Sequence, residues 1–319
     1  MIDGIINVYK ETGFTSHDVV AKLRGILKQK KIGHTGTLDP EAQGVLPVCL
    51  GKATKVCELL TDKNKTYQTV LLLGCTTDTQ DTTGTVLHSR EVSCTEEEVR
   101  SCIAAFIGEQ EQIPPMYSAL KVNGKKLYEL ARQGIEVERK ARRITIEQIV
   151  IDSIQLPEIT MTVTCSKGTY IRTLCHDIGE ALGCGGCMKS LLRTQVGPFE
   201  LAQSVRLSEI EAYRDAGELD QIVKSVDSVF QHLTAVYLSE PAERLVRNGN
   251  PIPYELLADC FCTADHGEMQ QFVHRMKEQD ADGLQEGQRF RIYGADQTFL
   301  AVYEWKEQSN CLKAVKMFL

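Results

Sequence analysis

The segment GHTGTLDPEAQGVLPVCLGKATK, residues 33–55, gathers a carboxylate, Asp39, and an imidazole, His34, among four glycines and two prolines. Pro40 biases Asp39 away from helix, and glycines let backbone approach a ligand closely. A carboxylate so placed can act as nucleophile or base. An ordinary Asp-Pro turn is the competing reading, and spacing alone favours it. A second constellation is KGTYIRTLCHDIG, residues 167–179. If 168–172 is extended, Tyr170 and Arg172 share a face, where an aromatic ring can stack a base and a guanidinium can pair a carboxylate. An edge-strand tyrosine beside a surface arginine fits the spacing equally well.

Other chemistries lose their supports. The chain has no G-x-x-x-x-G-K-[ST], no G-x-G-x-x-G and no G-x-S-x-G, so nucleotide hydrolysis, hydride transfer and esterase chemistry are not indicated. Cys184 and Cys187 have metal-ligand spacing, but the nearest further ligands, Cys175 and His176, lie in a preceding helical stretch, and no metal is expected. Cys260 and Cys262 alternate as strand residues do, so one of them faces a core and both read as packing.

The elements that must carry these residues follow from periodicity. Residues 2–9 read as a strand; Ser16 is expected to cap a helix with Val19, Val20, Leu23, Ile26 and Leu27 on one face, ended by Gly33. The start of 33–55 reads as a polar, glycine-rich loop of the kind that builds sites. Residues 67–73 read as a buried strand and TTDTQDTTG as turn chemistry. Thr95 and Glu98 form a capping box for a helix. The stretch IPPMYSALKVNGKKLYELARQG is a Pro-broken excursion with a short basic helix. Residues 160–165 alternate as a strand, and 173–182 read as a helix. RFRIYG, TFLAVYEW and LKAVKMFL, separated by turns, predict a small β-rich unit from about residue 237.

With 319 residues, 42% hydrophobic and 25% charged, the chain has the composition of a globular protein of one large and one smaller domain. The beginning MIDGIINVYKETG has no secretory pattern and no stretch is apolar enough to span a membrane, so a cytoplasmic protein is expected, with its twelve cysteines reduced. The net charge of −7 argues against a uniformly basic surface, but the charge is uneven. Residues 19–38 hold five Lys/Arg and no acid; 121–143 hold eight against three; 206–286 hold seven against sixteen. The first two-thirds can therefore carry phosphate-binding patches, although charge runs are also ordinary solvated faces.

The run Gly33-His34-Thr35-Gly36-Thr37-Leu38-Asp39-Pro40 resembles the catalytic signature of the TruB family of tRNA pseudouridine-55 synthases. The resemblance extends to residues 65–67 (KTY), 77–81 (TDTQD), 168–172 (GTYIR) and 190–193 (SLLR), and so covers most of residues 1–200. In the tail, VRNGNPI (246–252) and EGQRFRIYG (286–294) are similar to the PUA domain that follows many such enzymes, while 259–283 is longer and more polar than a minimal PUA core needs.

The resemblance implies an α/β (α+β) pseudouridine synthase fold: a central, mainly antiparallel mixed sheet with an RNA-binding cleft over residues 1–236, and a β-rich PUA-like domain over 237–319. A basic RNA-contacting insertion would occupy about 114–143. It implies isomerisation of uridine 55 in the tRNA T-arm, with the nucleotide turned out of its stack. Asp39 would be the catalytic carboxylate, favoured in its charged form and oriented by Arg172, with Asp81 behind that arginine. Tyr67, Tyr170 and Leu191 would enclose the uracil, and His34 would hold the invaded loop open. Asp81 reads equally as a turn residue, and His34 as an ordinary loop histidine. No cofactor is implied, because the reaction has no net redox change; tRNA is the implied partner, no protein partner is required, and the expected state is a monomer. Two alternatives stand beside this: an RNA-folding assistant, whose role can coexist with catalysis, and a guide-RNA-dependent relative.

Overall fold

The computed structural model describes residues 1–122, 124–257, 260–263 (backbone only for 261–263) and 284–319. Cys262 and nearly all of the polar stretch 259–283 therefore lie outside the described side chains. Two sheets organise the chain. The larger has ten strands, with the path Val223–Lys224, Gly4–Lys10, Gln43–Leu50, Gly186–Val196, Lys65–Leu73, Glu158–Cys165, Arg142–Gln155 and Gly108–Gln112. Every pairing on this path is antiparallel except one: Gln43–Leu50 runs parallel to Gly186–Val196, with Leu192 opposite Gln43 and Arg193 opposite Gly44. A mixed, mainly antiparallel sheet is thus observed, and its one parallel step lies at its centre.

Apolar side chains on both faces hold the sheet. One core packs Leu71, Ile146, Ile159, Met161 and Val163 against the helix Ile171–Ala181 through Leu174, Cys175 and Ile178. The helix lies close because it carries Gly179, where a Cβ would stand 2.1 Å from the Gly186 nitrogen. On another stretch of the sheet, Ile6, Val8, Leu46 and Val48 pack against Val19, Val20, Leu23 and Leu27 of the helix Ser16–Leu27. The expected apolar helix face is therefore real, but its ends differ. Thr15 is the cap, in a reciprocal capping box with Asp18. Ser16 is instead the first helical residue, and its hydroxyl accepts from the Leu38 amide at 2.9 Å. Lys28, in the left-handed conformation, ends the helix; Gly33 belongs to the short strand Ile32–His34. Thr95 and Glu98 cap the helix Glu96–Ala104 as their spacing predicts.

The second sheet has six strands, in the order Ile252–Pro253, Cys311–Met317, Phe299–Lys306, Arg289–Tyr293, Thr234–Tyr237 and Phe261–Thr263. Its core contains Val246, Phe290, Ile292, Tyr303 and Trp305, with Cys260 buried in it. Phe230, Phe299 and Phe318 pack together where the main sheet's following segment meets it. Among the described residues no helix is long and apolar enough to cross a membrane.

Candidate active site

The parallel step decides where the reactive residues meet. It sets the loop 35–42, which enters Gln43–Leu50, beside Gly186–Val196, whose other neighbour is Lys65–Leu73. Gly44 is needed at this junction: it has φ +104°, and a Cβ there would lie 2.2 Å from the Arg193 carbonyl oxygen.

Asp39 sits in this loop, and its carbonyl accepts from the Ala42 amide at 3.1 Å, so it does open an Asp-Pro turn. The turn is also what presents its side chain. Lys10, fully buried at the end of its strand, donates through Nζ to the carbonyls of Glu11 (3.1 Å), Pro40 (3.0 Å) and Ala42 (2.6 Å). That ammonium cross-braces the turn, and burial brings its pKa down to about 8.

Arg172 approaches Asp39 side-on: Nε lies 3.0 Å from Oδ2 and Nη2 donates to Oδ1 at 3.2 Å. Its remaining donors are taken by backbone, Nη1 by the Thr79 carbonyl at 3.0 Å and Nη2 by the Tyr117 carbonyl at 2.8 Å. Nη1 also lies 3.8 Å from Asp81 Oδ2, an ion-pair contact rather than a hydrogen bond. The Asp81 Oδ1 accepts from the Thr79 hydroxyl, the Thr83 hydroxyl and the Thr83 amide. Asp81 is thus both a turn residue and a partner of Arg172. Its loop is fastened to the sheet by Met188, whose amide donates to Gln80 and whose carbonyl accepts from Thr82.

The arginine reaches Asp39 by a route the strand expectation did not foresee. Tyr170 is extended, but the helix begins at Ile171, so Arg172 belongs to its first turn and not to a strand face shared with Tyr170. The Gln112 side chain binds both the amide and the carbonyl of Tyr170, fixing that junction.

Electrostatically the pair is unbalanced. Arg172 is only 6% exposed, whereas 38% of the Asp39 side chain remains open. Crowding by protein pushes the Asp39 carboxyl above its ordinary value; Arg172 and Lys10 oppose this and Asp81 adds to it. Arg172 favours the charged form, but burial outweighs it. The result is a carboxylate more basic than usual and held in one orientation.

Tyr67 is buried on the adjacent strand, its phenol held protonated by burial. Leu191 is half-buried against the same core as Tyr67 and Leu38. Tyr170 is half-buried and near enough to Arg172 and Asp39 to feel both charges, with burial raising its pKa. His34 stands apart from this ring of contacts, at the end of Ile32–His34. Its ring meets His17 edge to face with centroids 5.1 Å apart, its Nδ1 accepts from the Gly36 amide, and burial followed by the charge of His17 lowers its pKa.

Lys10, Thr79, Gln112 and Tyr117 were not singled out from the sequence. Lys10 carried a usable signal, a lysine closing an otherwise apolar strand; the other three serve mainly through backbone or amide groups, which residue type does not advertise. The basic segment forms a hairpin, Lys121–Val122 with Lys125–Lys126, then the short helix Leu127–Ala131, with Lys121, Lys125, Arg142 and Arg143 exposed. Cys187 is buried with its sulfur 3.6 Å from that of Cys75, and among the described residues no three potential metal ligands converge.

Residues 24–171 match the TruB family pseudouridylate synthase N-terminal domain, and 172–231 the tRNA pseudouridylate synthase B C-terminal domain. The chain is 51% identical, over the whole of both chains, to tRNA pseudouridine synthase B of Lachnoclostridium phytofermentans. It is 46% identical to the Bacillus subtilis protein of that name, over 78% of this chain and 83% of that one. Among solved structures, it is similar to a Cbf5-Nop10-Gar1 complex, with a TM-score of 0.71, 26% identity, and coverage of 99% of this chain and 85% of the matched one.

Proposed function

Because this chain belongs to the TruB family of pseudouridylate synthases, we propose that its cleft isomerises uridine 55 in the T-arm of tRNA to pseudouridine, with Asp39 as the catalytic carboxylate. The observation that carries the residue assignment is the side-on grip of Arg172 on a partly open Asp39. An oriented and partly open carboxylate, with aromatic and apolar side chains nearby, suits a nucleophile or base.

A stacked uridine cannot present its C1′–N1 bond, so the nucleotide turns out of the loop and enters the cleft. Tyr67, Tyr170 and Leu191 enclose the uracil, and His34 at the rim occupies the invaded loop. The lowered pKa of His34 suits this place, since a neutral imidazole stacks without the hydration of a cation. Asp39 then assists departure of the base, by attack or by proton abstraction; its raised pKa makes it the stronger base for the second route. The freed uracil turns and joins through C5 to C1′, and the C5 proton leaves. Asp81 and the backbone of Thr79 and Tyr117 keep Arg172 aimed throughout.

Residues 1–236 form the catalytic domain in this reading, and 237–319 a PUA-like RNA-binding domain. The exposed cations of the 114–143 insertion neutralise phosphates of the T-arm. The protein acts as a cytoplasmic monomer, without guide RNA or protein partner, and an RNA-folding role can accompany catalysis. The direct test uses a tRNA transcript tritiated at uridine C5, with no cofactor and no guide RNA: isomerisation replaces C5–H by C5–C1′ and releases one tritium per site. Release by the purified protein alone supports the reading; tight binding without release favours the folding-assistant or guide-dependent alternative.

A further inference from the structure

One buried cation near the cleft touches neither Asp39 nor the arginine that grips it. Arg193 is only 1% exposed. Its Nε donates to the Val45 carbonyl at 2.7 Å, while Nη2 has no partner among the described residues. The titratable neighbours on which its charge acts include Lys10, Lys65 and His34, each of which it pushes towards the neutral form. A guanidinium stays charged at every accessible pH, and burying one among other cations is costly. Its position gives that cost a purpose.

Arg193 lies directly across the strand pair from Tyr67, and the register slips immediately after it, between Arg193 and Gln195. Such a bulge re-aims the side chains beside it. Residues directly opposite share a face, so the guanidinium and the phenol stand together. A Cβ at Gly36, in the loop leading to Asp39, would lie 3.7 Å from Arg193 Nη1, which sets the same guanidinium beneath that loop.

We propose that Arg193 is a positioning residue of the isomerisation, acting through Tyr67. A guanidinium can only donate hydrogen bonds, so the phenol oxygen facing it accepts, and the Tyr67 hydroxyl proton is left to donate to an oxygen of the bound uridine. The positive charge of Arg193 opposes the effect of burial on Tyr67, as a cation beside the phenol oxygen does. The inference rests on Tyr67 lining the uracil pocket.

A double-mutant cycle separates the inference from that premise: Arg193→Gln, Arg193→Lys, Tyr67→Phe and Arg193→Gln/Tyr67→Phe, assayed by single-turnover pseudouridine formation and by tRNA binding, with folding checked by circular dichroism. Arg193→Gln and Tyr67→Phe should each slow the chemical step about tenfold or more with little change in tRNA affinity, and Arg193→Lys should recover part of the rate. In the Tyr67→Phe background Arg193→Gln should cost less than about threefold, because its route of action is already gone. Multiplicative losses would overturn the proposal while leaving Tyr67 in the pocket. An unchanged rate for Tyr67→Phe would remove the premise itself. Failure of both folded-state checks, for Arg193→Gln and for Arg193→Lys, would make the arginine a structural tie alone and overturn the proposal too.

Discussion

Arg172 holds Asp39 by two adjacent nitrogens, Nε at 3.0 Å from one carboxylate oxygen and Nη2 at 3.2 Å from the other. Only a guanidinium makes this side-on contact while also donating to two carbonyls. Arg172→Lys should therefore lower the single-turnover rate by about a hundredfold or more while changing tRNA affinity little. Rapid-quench kinetics beside a binding titration check it.

The raised pKa of Asp39 has a stability consequence with a definite sign. Folding favours its protonated form, so ionisation at neutral pH destabilises the fold, and the penalty vanishes as pH falls below the ordinary carboxylate value. Asp39→Asn should be inactive yet at least as heat-stable as the unchanged protein at pH 7, with the difference shrinking towards acid pH. Melting curves from pH 4 to about 8 test this. In the active protein, the same shift should place the acid limb of the rate profile above an ordinary aspartate's pKa.

Lys10 braces the turn that carries Asp39 through three carbonyls. Lys10→Met removes the ammonium from all three carbonyls and leaves Pro40 only the Gly13 amide, which should cost about 1–3 kcal/mol of stability by denaturant titration and about tenfold or more in rate. Because burial lowers the Lys10 pKa to about 8, the unfolded chain binds more protons between that value and the ordinary 10.5. Its contribution to stability should thus improve as pH rises through that window, and Lys10→Met should abolish that part of the pH dependence.

The sequence reading and the structure part company at short range. His34, Asp39, Tyr67, Asp81, Tyr170, Arg172 and Leu191 were read as one set only because their motifs resemble one family; the physics of spacing left Asp39 as a turn and Arg172 as a strand residue. Both outcomes have a physical cause. The Asp-Pro turn exists and is itself what exposes the carboxylate, so the two readings were never exclusive. The Arg172 helix starts one residue after Tyr170, because Gln112, nearly sixty residues away in sequence, satisfies the Tyr170 backbone. No local window contains that partner. Helix periodicity was legible at Ser16–Leu27, where one face packs on the sheet, but the strands Gln43–Leu50, Arg142–Gln155 and Gly186–Val196 were not read, and the cap moved from Ser16 to Thr15 because the Ser16 hydroxyl serves Leu38.

Exposed cations at Lys121 and Lys125 predict a salt-dependent tRNA affinity. Replacing both by Gln should flatten the slope of log affinity against log salt by up to about two, one for each phosphate no longer neutralised, with little effect on the rate of bound substrate. A slope equal to that of the unchanged protein would take this hairpin out of the RNA-binding surface.

In the proposed reaction Asp39 makes pseudouridine at one place in tRNA. The most direct measurement is base-specific chemical mapping of an unmodified tRNA transcript after incubation with the purified protein alone, run beside Asp39→Asn. Pseudouridine is expected at position 55 with the unchanged protein and nowhere with Asp39→Asn, although the variant still binds tRNA. Pseudouridine persisting at that position with folded Asp39→Asn, or arising elsewhere and not at 55 with the unchanged protein, would contradict it.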